Sequence, residues 1–457
     1  MASEHMRKKL SLPFELAVIM AAGLVLILLI QGISYAREEA GNISGEKTVL
    51  KEIGEGLSYT FRAFGYGSVI EPALSTQNPN NDFLNIPHYS LNLDLRPDIS
   101  LRFRSLTLVA KPRLDLKWER WEEGSREGDT DRDDDWYVNE WLAGLNPADG
   151  IFVSYGRENI QWGSSSFTSP SNPFFRDNGQ MNPKAEVPGK DFARLVWVVN
   201  SAWTASFIAN LGRGRELSPF DFQRTYALKV DYTTYKKYFS LIGSCQEGNR
   251  SSLGAFGGRW FSDALLLYAE ASVSRGTDSL YPEKDGSAPF GIQMRPIKDD
   301  GNSPEGLFLM GGSYTMKSGA TFTLEYLFNG PGYNDSKADL YYDLRERAAY
   351  AFNLSEPLHS MSKMTLMQTL DPKLRFLRKN YLTFKYYRVQ IWDVLNLILR
   401  YTFNIDDNSS QFIPIVEYDI GDHCQLFFVG DQRFGSKRSE FRSLTDYRYM
   451  LGVEFTF

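Results

Sequence analysis

Leu444-Thr445-Asp446-Tyr447-Arg448-Tyr449-Met450-Leu451-Gly452-Val453-Glu454-Phe455-Thr456-Phe457 is the stretch that decides how the rest of the chain is read. Every odd position from Tyr447 to Phe457 is apolar or aromatic. The even positions carry Asp446, Arg448, Glu454 and Thr456, with Met450 and Gly452 between them. A period of two describes a strand with one apolar and one wetted face. One such strand is a weak signal, so the test is whether the whole chain repeats it.

It does. Strand-like segments fall at 57–66, 88–95, 100–121, 136–145, 151–161, 190–200, 203–212, 223–233 and 236–245. They continue at 252–261, 264–275, 305–316, 319–329, 377–388, 392–404, 411–420, 423–432 and 444–457. That is about 18 strands, an even number as closed bacterial membrane barrels require. Tyr89, Leu91, Leu93 and Leu95 oppose Asn92, Asp94 and Arg96; Leu395, Leu397, Leu399, Tyr401 and Phe403 oppose Asn396, Arg400 and Thr402. Connections alternate too. Pro97-Asp98, the 146–150 run, Ser262-Asp263, Lys317-Ser318 and Gly421-Asp422 read as tight turns, and every other connection reads as longer, up to 330–376. Short turns at one end and long loops at the other are the periplasmic and extracellular ends of a transmembrane antiparallel β-barrel. In the segment 100–121 the phase slips near Arg104-Ser105, which a β-bulge would restore.

Composition agrees. Aromatic residues make up 14% of the 457, yet mean hydropathy is only -0.34, as expected when lipid-facing and lumen-facing residues cancel in a running average. Arg7-Lys8-Lys9, the apolar run 16–30 and Ser34-Tyr35-Ala36 predict a secretory signal peptide over 1–36. Residues 37–56 then form a short, unpatterned periplasmic lead-in, and 57–457 the barrel. Removing 1–36 takes away three Lys/Arg and two Asp/Glu and moves the net charge from -6 to -7, which argues against nucleic-acid binding. Cys245 and Cys424 fall at opposite ends of the expected barrel, too far apart for a disulfide.

Polar side chains on the inward phase predict a water-filled lumen. Lys111, Arg113, Asp115, Lys117 and Glu119 form a charged ladder on one wall; Arg194, Lys229, Lys385, Arg400 and Arg448 add positive charge, and Asp231 and Glu325 negative. The signs are mixed, so weak ion selectivity is expected. The segment 162–189 carries Trp162, Phe167, Phe174 and Phe175 and is stiffened by Pro170, Pro173, Pro183 and Pro188. Those rings are awkward in water, and the segment is expected to fold inward as a constriction. Within 330–376, Ser336 and Asp339 read as a capping box for a short helix over the barrel mouth. The acidic run 129–135 lacks the glycine and closing glutamate of a calcium loop and reads as a solvated loop. The histidines are His5, His88, His359 and His423; none stands mid-strand beside a serine, and no haem, phosphate-loop or zinc spacing is present. Neither enzyme activity nor a cofactor or metal is expected.

Two stretches carry a resemblance. Gly156-Arg157 through Trp162-Gly163, with Ser169-Pro170-Ser171-Asn172-Pro173, resembles the early barrel of porin-like proteins often grouped with alginate-export barrels. So do 404–409, Pro414, Tyr418, Asp422 and Ser439-Glu440-Phe441. A last strand ending in Phe455 and Phe457 resembles the closing strand of Gram-negative outer-membrane barrels, where that terminus serves as a signal to the barrel-assembly machinery. The resemblance implies an outer-membrane porin, embedded in outer-membrane lipid and passing small hydrophilic solutes by passive diffusion, alone or as a homo-oligomer. The alternative it implies is an export channel or scaffold barrel for a polysaccharide or electron-transfer complex. The mixed lumenal charges depart from the strongly electropositive lumen of a polyanion exporter.

Overall fold

The computed structural model describes residues 44–175, 184–216, 221–248, 250–275, 279–296 and 304–457. The expected signal peptide lies outside them. In chain order the strands are β1 (Leu57–Pro72), β2 (Tyr89–Phe103), β3 (Leu106–Arg120), β4 (Thr130–Ala148), β5 (Ile151–Glu158) and β6 (Lys190–Val198). Next come β7 (Trp203–Gly212), β8 (Thr225–Thr233), β9 (Lys237–Gln246), β10 (Arg250–Trp260) and β11 (Leu265–Arg275). A separate hairpin, β12 (Leu280–Lys284) and β13 (Ile292–Pro296), stands outside the main sheet. The wall resumes with β14 (Pro304–Thr315), β15 (Thr321–Asn329), β16 (Asn380–Ile391) and β17 (Leu395–Asn404). It ends with β18 (Ser409–Ile420), β19 (Cys424–Phe434) and β20 (Thr445–Thr456).

Among the described residues, 18 strands make one antiparallel sheet. Each pairs with its sequence neighbour, β11 with β14, and β20 closes on β1 from Arg62↔Thr456 to Pro72↔Thr445. Phe457 extends the seam by exchanging backbone bonds with Phe61 at 2.9 and 3.0 Å. The outer face is apolar: Leu91 is 60% exposed, Leu253 64% and Leu451 66%. On β2 the alternate residues Ser90, Asn92, Asp94 and Arg96 are buried inside. A closed wall with satisfied ladders and an apolar exterior belongs in a bilayer. Cys245, near the outer end of β9, and Cys424, at the opposite end of β19, are both free.

Several sequence expectations are corrected. Pro97-Asp98 is not a turn; β2 runs through it, with Pro97 paired to Phe61. The phase slip at Arg104-Ser105 is the actual turn, with Arg104 at φ 55°, rather than a bulge. Proline survives inside β2 because the β2–β3 ladder is interrupted there, between Leu95↔Leu114 and Ile99↔Ala110, where Pro112 stands opposite. Neither ring can donate, so the two prolines share one gap. The acidic run is strand, not loop: Asp131 to Asp135 extend β4 opposite Glu119 to Asp115. The outer connection 405–408 is as tight as the inner ones.

Among the described residues three α-helices accompany the wall: α1 (Ser44–Gly56), inside the segment expected to be unpatterned, then α2 (Asp335–Phe352) and α3 (Leu358–Leu370). The N-cap of α2 is Asn334, whose side chain accepts from Lys337 N at 3.0 Å, not the expected Ser336. The first turn of α3 holds His359, expected in a loop. With the 73–88 loop, α2 and α3 make the outer mouth: Phe83 packs on Phe352 at 5.9 Å, and Gln77 Nε2 donates to Thr369 Oγ1 at 3.1 Å. The helix α1 lies at the other end, where Arg104 Nε donates to Glu52 Oε2 at 3.2 Å.

Candidate functional site: a lumen crossed by the β5–β6 segment

The inward phase of the wall is not uniformly polar. Phe192, Ile208, Ala227, Ile242 and Phe256 on β6 to β10 all face inside and form an apolar seat. Ile160, Phe174 and Phe175 of the 159–189 segment fill it, with Trp162 packed against them. Phe174 meets Phe192 edge-on at 5.1 Å and Trp162 at 5.8 Å. Aromatic rings in a polar lumen need such a partner surface, and the seat supplies it.

A serine-rich turn then fastens the segment to a second wall. Glu270 Oε1 on β11 accepts from Ser169 Oγ at 2.5 Å, Ser171 N at 2.8 Å and Ser171 Oγ at 2.7 Å. Glu325 on β15 accepts from Ser166 N at 3.1 Å and from Tyr268 OH at 2.5 Å. Charge-assisted bonds of this kind hold a chain more firmly than neutral ones. Arg375, between α3 and β16, grips the same turn through Thr168 Oγ1 at 3.0 Å, Asn172 O at 3.2 Å and Phe175 O at 3.3 Å. Gly163 is required at this point. Its φ is +100°, and a Cβ would stand 2.6 Å from Glu270 Oε2.

Farther on, the segment reaches a third wall. Lys184 Nζ donates to Gln425 Oε1 at 2.6 Å and pairs with Glu417 and Glu454 at 2.8 Å each. Arg96 on β2 donates to Lys184 O at 2.9 Å. Glu186 takes a two-pronged ion pair from Arg113 on β3, at 2.7 and 2.6 Å, in a site where Arg113 is fully buried. Residues 176–183 lie outside the described residues. The described flanks alone touch β6 to β10, β11 to β15, and the β18–β20 and β2–β3 walls.

The residues expected to line the lumen are distributed unevenly. Arg113 is an anchor for the segment, sealed by Glu186, Asp98 at 2.8 Å and two backbone carbonyls. Lys111 pairs with Glu140 at 2.9 Å, Lys117 with Glu119 at 2.5 Å, and Arg194 with Glu158 at 3.4 Å. Asp115 lies in register between Asp94 and Asp135. Lys229 pairs with Asp231 and sits over the Trp162 ring at 5.6 Å. Lys385 and Arg400 are register partners on β16 and β17, and Arg400 is fully enclosed. Arg448 stands exposed in register with Asp431. Phe167 is buried, stacked on Phe376 at 4.7 Å beside Tyr381. The anchors Lys184, Glu186, Arg375 and Arg96 were missed as such. The signal available was the run of inward-phase apolar residues on β6 to β10, out of place beside water.

Beside the segment lies a vestibule of about 680 Å3, lined by Ser171 of the segment and Ser244, Ser252 and Ser272 of the wall. Lys190, Arg213, Arg250 and Lys373 face Glu216, Asp221 and Asp371 around it. At the mouth, Glu440 accepts from Leu377 N at 2.8 Å, Tyr381 OH and Asn404 Nδ2 at 2.8 Å. Burial pushes its carboxyl up to about 7 from the usual 4.5, against those donors. The folded state therefore binds the Glu440 proton more tightly than the unfolded chain does. That contribution is fully present below about pH 4.5 and is lost as pH rises through about 7. Thermal melts should show a higher Tm at pH 5 than at pH 8. Glu440→Gln should flatten that slope, and an unaltered slope would assign it to other groups.

No family model matches this chain, and no curated protein is similar to it in sequence. Solved structures are similar in fold. Outer membrane protein OprD from Pseudomonas aeruginosa is 8% identical, with a TM-score of 0.52 over 88% of this chain and 94% of that one. OccK8 (OprE) from the same organism is 10% identical at 0.52, over 88% and 98%. OccK7 (OpdD), also from Pseudomonas aeruginosa, is 11% identical at 0.51, again over 88% and 98%. At such identities the likeness concerns architecture: this chain is a closed, 18-stranded antiparallel barrel with the fold of outer-membrane porins.

Proposed function

We propose that this barrel is a porin-type channel of the outer membrane, passing small hydrophilic solutes by passive diffusion through a lumen narrowed by the 159–189 segment. The observation that carries the reading is the fastening of that segment to three walls of the lumen. A filler without function would need only the apolar seat; the carboxylate anchors at Glu270 and Glu325 and the ion pairs of Lys184 and Glu186 hold it at a fixed position across the path. The charges around it are mostly paired with opposite signs, which favours passage with weak ion preference. A constriction seen by the solute includes Trp162 and Lys229, while Phe167, Phe174 and Phe175 serve to seat the segment.

The anchors provide a test that leaves the wall untouched. In planar bilayers, the double variant Glu270→Gln/Glu325→Gln should give a noisier open state and a modestly higher mean conductance. Each substitution weakens charge-assisted bonds worth roughly 1.5–3 kcal/mol. Conductance and noise identical to the parent protein would mean that these carboxylates do not hold the gate.

A further inference from the structure

Outside the lumen, Glu71, His88 and Glu123 bring one ligand atom each to within 4.8 Å of the others. They come from three separate stretches: the outer end of β1, the residue before β2, and the turn after β3. Sequence spacing could not have joined them. His88 is only 8% exposed, and its Nδ1 is buried with no hydrogen-bond partner. A buried imidazole nitrogen is ordinarily satisfied, and one left open beside two carboxylates has a ligand's geometry. Among the described residues no cation pairs with either carboxylate. Neighbouring Arg120 pairs with Glu122 at 2.8 Å, and Arg126 with Asp129 and Asp131 at 3.5 and 3.0 Å. Among the described residues, Glu71 has only the Tyr447 hydroxyl, at 3.4 Å, and Glu123 caps no backbone N–H.

We propose that these three residues form a site for a divalent first-row transition metal of the zinc type. An imidazole with two carboxylates suits such ions, whereas calcium and magnesium favour oxygen-only sets. Three protein ligands leave further coordination positions for water. The ion would tie the base of the 73–88 loop to the 121–129 turn, which already meet through Trp121 Nε1 to Asn85 O at 2.6 Å and Ser125 Oγ to Asn85 Oδ1 at 2.9 Å. Because 73–88 also packs on α2 and α3, the site would brace one side of the mouth.

The test uses untagged, full-length barrel in detergent, stripped with chelator, with heat-modifiable gel mobility confirming the fold. Titration calorimetry with zinc chloride should give one saturable site per chain and a raised Tm. His88→Ala and Glu123→Gln should each weaken binding by at least the ~10–100-fold that even an outer-shell partner is worth. Glu123 lies in a turn outside the wall, so its variant reports even if His88→Ala fails to fold. No saturable zinc binding overturns the proposal. So does zinc binding that survives Glu123→Gln, or a calcium affinity equal to that for zinc and indifferent to His88.

Discussion

Deleting Phe455 to Phe457 is expected to strip the heat-modifiable barrel from outer membranes while leaving synthesis unchanged. These residues hold both sides of the closing strand at its inner end. On one side Ala63↔Phe455 and Arg62↔Thr456 are ladder pairs, and Phe61 exchanges two backbone bonds with Phe457. On the other, Cys424 pairs with Phe455, and Thr456 bonds His423 through both its N–H and its carbonyl. Their loss leaves strand edges unpaired within reach of lipid, where each unsatisfied backbone group costs several kcal/mol. Full levels of correctly folded barrel in the deletion would remove the seam from the account. Phe457→Ala separates closure from recognition, since it keeps the backbone bonds and discards the ring that stacks on His423 at 5.8 Å. If assembly machinery reads the aromatic, this variant is depleted in cells yet refolds in detergent; if only closure matters, it behaves as the parent does in both.

The wall was legible in the sequence because lipid outside and water inside impose a period of two on every strand, and turns interrupt it where strands end. The errors arose where that logic is locally relaxed. Pro97 reads as a turn residue, but opposite Pro112 it costs no ladder bond that was not already missing. The acidic end of β4 stands clear of the bilayer, so nothing forces apolar residues there, and Asp131 to Asp135 pair as strand without showing the alternation. Asn334 rather than Ser336 caps α2 because an N-cap is chosen by where the chain enters the helix, one step more than a short motif records.

The lumen was less legible. Alternation says which residues point inward, and not what they meet there. Arg113 read as a free charge facing permeating ions and is instead sealed beneath Glu186, a partner 73 residues later in sequence. The seat on β6 to β10 did leave a trace, in Ile208, Ile242 and Phe256 at positions where water-facing residues were expected. The metal cluster left none, since its three members share no element and no spacing.

Excising 164–180 with a short glycine-serine bridge is expected to raise single-channel conductance severalfold and to speed solute entry in liposome swelling. The excision removes the serine turn held by Glu270, Glu325 and Arg375 and the rings Phe174 and Phe175 that fill the apolar seat. Without them the flank bearing Lys184 and Glu186 has contacts on only one wall, and the path along β6 to β15 is open. An 18-stranded barrel is wide enough to conduct once nothing crosses it. The exposed seat is a liability of its own, and heat-modifiable mobility must show that the variant folds before its current is read. Replacing Phe174 and Phe175 by serine, without excision, should move conductance in the same direction by a smaller amount, because the carboxylate anchors remain. A folded excision variant that conducts as the parent does would mean that the narrowest point lies elsewhere. Attention would then pass to α2, which lies over the same mouth and is tied to its rim through the ion pairs of Arg438 with Asp343 and Glu346 at 2.9 and 3.1 Å.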